Sequence, residues 1–234
     1  MRNSIVPVAA IALAAASPAW AAERSFELDG FSEVAAGSGL DVEIVQGGEF
    51  AVVAEGSPRG LKRLQIDRRG NRLVIEREAR GLERFSPLMQ ALSDEVVVRV
   101  TLPELTAVTA SAGSDVSAEG STAGRFTAEA SSGADLEIAK VAAETVTLAV
   151  SSGADLDASG TCGTLTAEAS SGADLDARGL VCDVATATAS SGSDISLTAG
   201  EVRAEAQSGA DVDVWGAEVV EAEESSGGDV SQHR

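Results

Sequence analysis

Apolar and polar residues alternate with a period of two through Leu165, Thr166, Ala167, Glu168, Ala169 and Ser170. After Ser171-Gly-Ala173 the alternation resumes, with Leu175 and Ala177 set against Asp174, Asp176 and Arg178. This pattern predicts two half-buried strands joined by a tight bend. The bend reads Ser-Ser-Gly-Ala-Asp-Leu from Ser131, Ser151 and Ser170, and near copies start at Ser111, Ser190, Gln207 and Ser225. Successive starts are 20, 20, 19, 20, 17 and 18 residues apart. A period this regular predicts a solenoid in which each repeat forms one rung stacked on the last.

The columns agree with stacking. The first inward position of each rung reads Thr106, Phe126, Val146, Leu165, Ala185, Val202, Val220, and the one after the bend reads Val116, Leu136, Leu156, Leu175, Ile195, Val212, Val230. Ser132-Gly-Ala-Asp135 also fits a helix capping box, but no helical period follows it. The expected fold is therefore all-β: a right-handed parallel β-helix or flattened β-solenoid, with 17–20 residues per rung.

Residues 1–21 read as a signal peptide, with Arg2, an apolar run from Ile5 to Ala16, and the cleavage pattern Ala19-Trp20-Ala21. Residues 22–105 read as an irregular amino-terminal cap with the first rungs, and residues 106–234 as the regular rungs. In the first of these, Ser38-Gly-Leu-Asp41 repeats the bend. Val42 and Ile44, Leu73 to Ile75 and Val96 to Val100 read as strands, whereas Ser57 to Leu64 and Gly81 to Ser93 read as loop or short helix. Most of the basic residues are here, including Lys62, Arg63, Arg68, Arg69 and Arg72.

Composition narrows the partners. The formal charge is -20, and 44% of residues are hydrophobic while only 3% are aromatic, which suits a thin core of small side chains. Such a charge disfavours nucleic acid and anionic lipid as partners. No apolar run beyond the signal peptide approaches spanning length, so the mature chain is expected to lack a transmembrane segment and to reside in the periplasm, at the cell surface or outside the cell.

Phe31-Ser-Glu-Val34, Ser38-Gly-Leu-Asp-Val-Glu-Ile-Val45 with Gln46-Gly-Gly48, Asn71-Arg-Leu-Val-Ile75 and Val96-Val-Val-Arg-Val-Thr-Leu-Pro-Glu-Leu105 precede the stacked Ser-Gly-x-Asp bends. In this order they resemble the head GIN domain family of auto-transporter adhesins, over Phe26 to Val230. The resemblance implies a secreted or envelope β-helical domain without established catalysis. The chain ends at Ser231-Gln-His-Arg234 rather than in a membrane barrel, so self-export is not expected.

By parity, Asp115, Asp135, Asp155, Asp174, Asp194, Asp211 and Asp229 form one outward file, and Glu137, Asp157, Asp176 and Asp213 lie on the same face. Carboxylates about 5 Å apart repel by about 1 kcal/mol per pair even in water, so something must offset them. One reading is local: each aspartate accepts backbone N–H groups of its own or the next turn. The other is a ladder of calcium sites, since hard cations take carboxylate oxygens. The spacing of one Gly-x-Asp per rung is sparser than a calcium-binding nonapeptide repeat. Stacked Ser131, Ser151, Ser170 and Ser190 either satisfy one another or present hydroxyls to a sugar, and Trp215 is the outward aromatic of the rungs.

Cys162 and Cys182 occupy one column on neighbouring rungs. They form either a disulfide, favoured in an oxidising compartment, or two stacked thiols. Without a neighbouring histidine they make no zinc site. His233, the single histidine, is expected to fray near the chain end, which leaves no base for a serine or cysteine nucleophile. Paired carboxylates such as Asp155 and Asp157 recur on nearly every rung, whereas an active site should break a repeat. The expected function is non-enzymatic: an adhesin-like binding or structural module with an unknown glycan or protein partner. The alternatives are a calcium-dependent polysaccharide binder and, further off, a carbohydrate-active enzyme. No cofactor other than calcium is implied.

Overall fold

The computed structural model describes residues 22–78 and 95–233. Residues 1–21, read above as a signal peptide, and the stretch from Gly81 to Ser93, read as loop or short helix, lie outside them. Strand makes up 71% and helix 3%, which excludes the helical reading of the bends. The amino-terminal elements are β1 (Ala22–Phe26), β2 (Glu33–Ala36), β3 (Asp41–Gln46), β4 (Ala51–Gly56), α1 (Pro58–Arg63), β5 (Leu64–Arg69), β6 (Arg72–Arg77) and β7 (Val96–Leu102). The rungs follow as β8 (Ala107–Ser111), β9 (Asp115–Ser121), β10 (Arg125–Ser131), β11 (Asp135–Ser151), β12 (Asp155–Ser170) and β13 (Asp174–Ser190). The last are β14 (Asp194–Gln207), β15 (Asp211–Trp215), β16 (Val219–Ser225) and β17 (Asp229–His233).

Each rung has a leading strand, the Ser-Gly-x-Asp bend, a return strand, and a crossing at the back edge to the next rung. The long strands β11 to β14 each contain the return strand of one rung and the leading strand of the next. Leading strands stack in parallel and in register: Phe126 on Val146, Val146 on Leu165, Leu165 on Ala185, Ala185 on Val202. Return strands do the same, from Val42 through Val116, Leu136 and Leu156 to Val212 and Val230. The inward residues of these two walls meet in a narrow core, with Ala128, Leu148, Ala167 and Ala187 in one column. Thr106 does not head its column as a core residue; it is half-buried, and its hydroxyl donates to the Ser32 carbonyl at 3.0 Å.

Unequal rung lengths are absorbed at the back edge. The register shifts between Ile138 and Val141, between Asp157 and Ser159, and between Ala177 and Val181, while the bend side stays aligned. Cys162 and Cys182 face each other beside this edge and are joined in a disulfide, their Cα atoms 4.5 Å apart.

The bends themselves form a ladder. Ser132 N donates to Ser151 O and Gly133 N to Ser152 O, and the same two bonds recur one rung on, from Ser152 to Ser170 and Gly153 to Ser171. Presenting those groups to the neighbouring turn requires two successive left-handed residues, at φ 58° for Ser152 and 64° for Gly153. The second serine is thus the small side chain tolerated at a strained position, and glycine takes the other at no steric cost.

The amino-terminal segment is built on the same plan and then reverses. β2 and β3 with the Ser38 bend are a rung in register with β8 and β9, pairing Val34 with Val108 and Asp41 with Asp115. β6 and β7 add one more parallel strand to each wall. Antiparallel β5 then extends the leading wall, and antiparallel β4 followed by β1 extends the return wall. The helix α1 starts at Ser57, whose hydroxyl caps Gly60 N at 3.0 Å.

Two glycine substitutions separate conformational strain from crowding. A Cβ at Gly153 would come no closer than 3.9 Å to Gly172 O, so Gly153→Ala should cost only the left-handed penalty, about 1–2 kcal/mol. A Cβ at Gly160 would lie 2.1 Å from Val141 O, so Gly160→Ala should cost more, about 3 kcal/mol or above, by displacing a backbone ladder. Urea denaturation of the two variants checks the order; equal losses would contradict it.

Candidate functional site: the acidic face

In-register stacking brings the aspartates of all the bends together. Asp115 pairs with Asp135, Asp135 with Asp155, Asp155 with Asp174, Asp174 with Asp194, Asp194 with Asp211, and Asp211 with Asp229. Asp41 joins this file at its amino-terminal end, opposite Asp115. Its bend was visible in the sequence, and the parallel pairing of β3 with β9 is what extends the file to it.

The second file lies two residues further along each return strand. It runs from Glu43 through Ser117 to Glu137, Asp157 and Asp176, then through Ser196 to Asp213 and Ser231. Serines at Ser117, Ser196 and Ser231 therefore dilute the charge. Arg99 closes the file at one end, its guanidinium 2.9 Å from Glu43 and 2.8 Å from Glu55. Glu137, Asp157, Asp176, Ser159 and Arg178 line an open groove in the middle of the face.

Local bonding to the next turn is seen at Asp194, whose carboxylate is favoured by a backbone hydrogen bond from Asp211, but it does not extend along the file. The N–H groups of the turns are committed to neighbouring rungs: Asp135 N donates to Ser114 O, Asp155 N to Ala134 O and Asp174 N to Ala154 O. Three carboxyls of the file hold protons more tightly. Partial burial, together with neighbouring carboxylates above and below, pushes Asp115, Asp155 and Asp194 above the usual carboxylate range. Burial raises Asp157 in the same way, helped by Asp176 and Glu137 and opposed by Arg178. Asp176 moves the other way, because the guanidinium and backbone N–H of Arg178 bond its carboxylate.

Two of the bends carry serine instead of alanine at the inward position, a signal that sequence reading passed over. Ser193 Oγ is fully buried; it accepts Ser190 N at 3.1 Å and donates to Ala169 O of the previous rung at 2.9 Å. Ser114 accepts Ser111 N at 3.1 Å. By contrast, the stacked Ser131, Ser151, Ser170 and Ser190 are half-buried on the leading wall, beside Glu129 and Glu168 in a shallow groove.

His233 is not frayed. It lies in β17 directly over Trp215, with ring centroids 4.5 Å apart, and its Nε2 is 2.7 Å from an Asp213 carboxylate oxygen. Arg178 approaches the same indole, with its guanidinium carbon 5.5 Å from the ring centroid. The outward tryptophan is thus part of a cluster with Asp213, His233 and Arg178. Both cysteines are consumed by the disulfide. Among the described residues, no group of three or more Asp, Glu, His or Cys side chains converges as a metal centre would.

These shifts predict an inverted pH dependence. A carboxyl whose folded pKa is raised contributes stability that is complete below the unfolded value, near 3.9, and is lost as pH rises through the folded value. Asp115, Asp155, Asp157 and Asp194 contribute in this sense. Asp176 contributes in the opposite sense, but only as pH falls through its lowered value. The thermal midpoint should therefore rise as pH falls from neutrality towards about 4, and Asp135→Asn should raise it at neutral pH. Calorimetry across that range is the check, and a midpoint that falls steadily on acidification would refute it.

Comparison with known proteins places this architecture. A putative adhesin from Bacteroides fragilis NCTC 9343 superimposes with a TM-score of 0.81 at 14% identity, over 92% of this chain and 98% of its own. A putative lipid binding protein from Parabacteroides distasonis ATCC 8503 gives 0.68 at 11% identity, over 92% and 98%. A putative adhesin from Parabacteroides merdae ATCC 43184 gives 0.66 at 10%, over 92% and 97%. At these identities the likeness is one of fold. No curated protein matches the chain in sequence. Residues 30–231 match the family model described as "Putative auto-transporter adhesin, head GIN domain", and the chain belongs to that family.

Proposed function

We propose that this protein is an exported, adhesin-like binding module of the cell envelope, with residues 1–21 as its export signal and the acidic face as its recognition surface. The observation that carries this reading is the unbroken register from Asp41 to Asp229, which sets a carboxylate on every rung along one side of a stiff rod. A regular row of like charges suits a partner that is itself extended and bears cationic or hydrogen-bond-donating groups, such as a basic protein segment or an amino-sugar polymer. The cluster of Trp215, His233 and Arg178 adds an aromatic border to that face.

Catalysis fits poorly with the same residues. A nucleophile needs a base within hydrogen-bond reach. The single histidine instead contacts Asp213 and Trp215, and the cysteines are bonded to each other. The family and the adhesins among its structural neighbours are described by binding rather than by a reaction. Calcium-dependent polysaccharide binding is the alternative use of the same face, with cations bridging successive carboxylates.

A glycan and matrix-protein array with and without calcium tests the proposal. The purified chain should retain a ligand without calcium, and the variant carrying Asp135→Asn, Asp155→Asn and Asp174→Asn should lose about tenfold or more in affinity, as should the wild type at high salt. Binding that survives the three substitutions would move recognition to another face. Binding that requires calcium would support the alternative, and turnover of any arrayed polysaccharide would make the protein an enzyme.

A further inference from the structure

We infer that the last described rung closes the solenoid against end-to-end association, and that Glu224 and Gln232 are the residues that close it. The inward column of the leading wall reads Val150, Ala169, Ala189 and Ala206, all buried, and then Glu224. The corresponding column of the return wall reads Leu197 and Val214, both fully buried, and then Gln232. Each wall therefore turns from apolar to polar at the same rung, at a position that points into the core everywhere else.

Both polar side chains bond backbone, Glu224 that of its own rung and Gln232 that of the crossing leading into it. In a parallel ladder successive N–H groups point to opposite neighbours. Asp229 N donates back to Ala210 O of the preceding rung, so Val230 N faces the open end. Glu224 Oε1 accepts that N–H at 3.1 Å, reaching from the leading wall to the return wall. Gln232 Nε2 donates to Ala217 O, in the crossing between β15 and β16, at 2.8 Å. The pair thus lies across the end of the core and occupies a donor that an added strand would need.

Closure matters because the opposite end offers matching edges. Among the described residues, the leading wall ends there in β5, paired with β6 alone, and the return wall ends in β1, paired with β4 alone. A second copy translated along the rod would bring its β5 to β16 and its β1 to β17, continuing both walls. Open strand edges backed by an apolar core are templates for such addition, whether the new pair is parallel, as β1 with β17, or antiparallel, as β5 with β16, and solenoids need a polar terminal repeat to stay soluble.

Sedimentation velocity and electron microscopy of the full chain test this. The wild type should stay monomeric as concentration rises. The double variant Glu224→Ala, Gln232→Val, which restores the residues one rung earlier in each column, should form oligomers that lengthen without widening. Amide exchange supplies a readout that does not depend on assembly or on the double variant's folding. Val230 N–H should exchange about tenfold faster in Glu224→Ala and stay protected in Glu224→Gln, which keeps an acceptor. A wild type that already stacks end to end, a folded double variant that stays monomeric, or a Val230 amide indifferent to Glu224→Ala would each overturn the inference.

Discussion

The constraint on which the molecule depends is that the backbone groups of each bend find their partners in the bend of the next rung. Within the bend, Ser152 N and Gly153 N donate to Ser170 O and Ser171 O. Those bonds form only if successive bends have the same backbone shape and lie directly over one another. The shape requires two left-handed residues in succession, hence a small residue followed by glycine. Once the bends are aligned, side-chain parity follows, and with it the two walls, the narrow core of alanine, valine and leucine, and the outward rows. The back edge, where the register shifts, is free to vary in length because it carries no such constraint.

The acidic face is a consequence of that alignment. Stacking identical turns stacks identical side chains, so any charge in the motif becomes a row of like charges. The rungs reduce the cost by placing Arg178 against Asp176 and by serines in the second file, while burial and neighbouring carboxylates leave Asp115, Asp155 and Asp194 with raised pKa values. None of this is needed to form the bend, whose hydrogen bonds run through the backbone. A row kept despite its electrostatic cost is the feature that most needs a functional explanation, and recognition of an extended partner supplies one.

Much of the fold was legible because period-two alternation and a fixed repeat are direct records of parallel stacking. Phe126, Val146 and Leu165, or Leu136, Leu156 and Leu175, could be placed in columns by counting alone. What escaped was chemistry that changes at the ends. Thr106 satisfies the parity of its column but bonds Ser32 at the junction with the amino-terminal rung. The strands β1, β4 and β5 pair antiparallel, outside the repeat, so no period marks them. His233 was expected to fray because it is near the chain end, although it stands 18 residues after Trp215, the spacing of the last repeat. The same count places Glu224 below Ala206 and Gln232 below Val214. The carboxylate rows were legible as geometry, but how they are tolerated depends on burial and neighbours that the sequence does not display.

The alignment of the bends is tested most directly by cysteine cross-linking along the aspartate file. With the native disulfide replaced by alanines, the pair Asp135→Cys and Asp155→Cys lies on adjacent rungs in register and should oxidise rapidly to a single intramolecular disulfide. The pair Asp135→Cys and Asp174→Cys, two rungs apart, should not. Equal cross-linking of both pairs, or of neither, would contradict a solenoid in which each bend sits over the one before it.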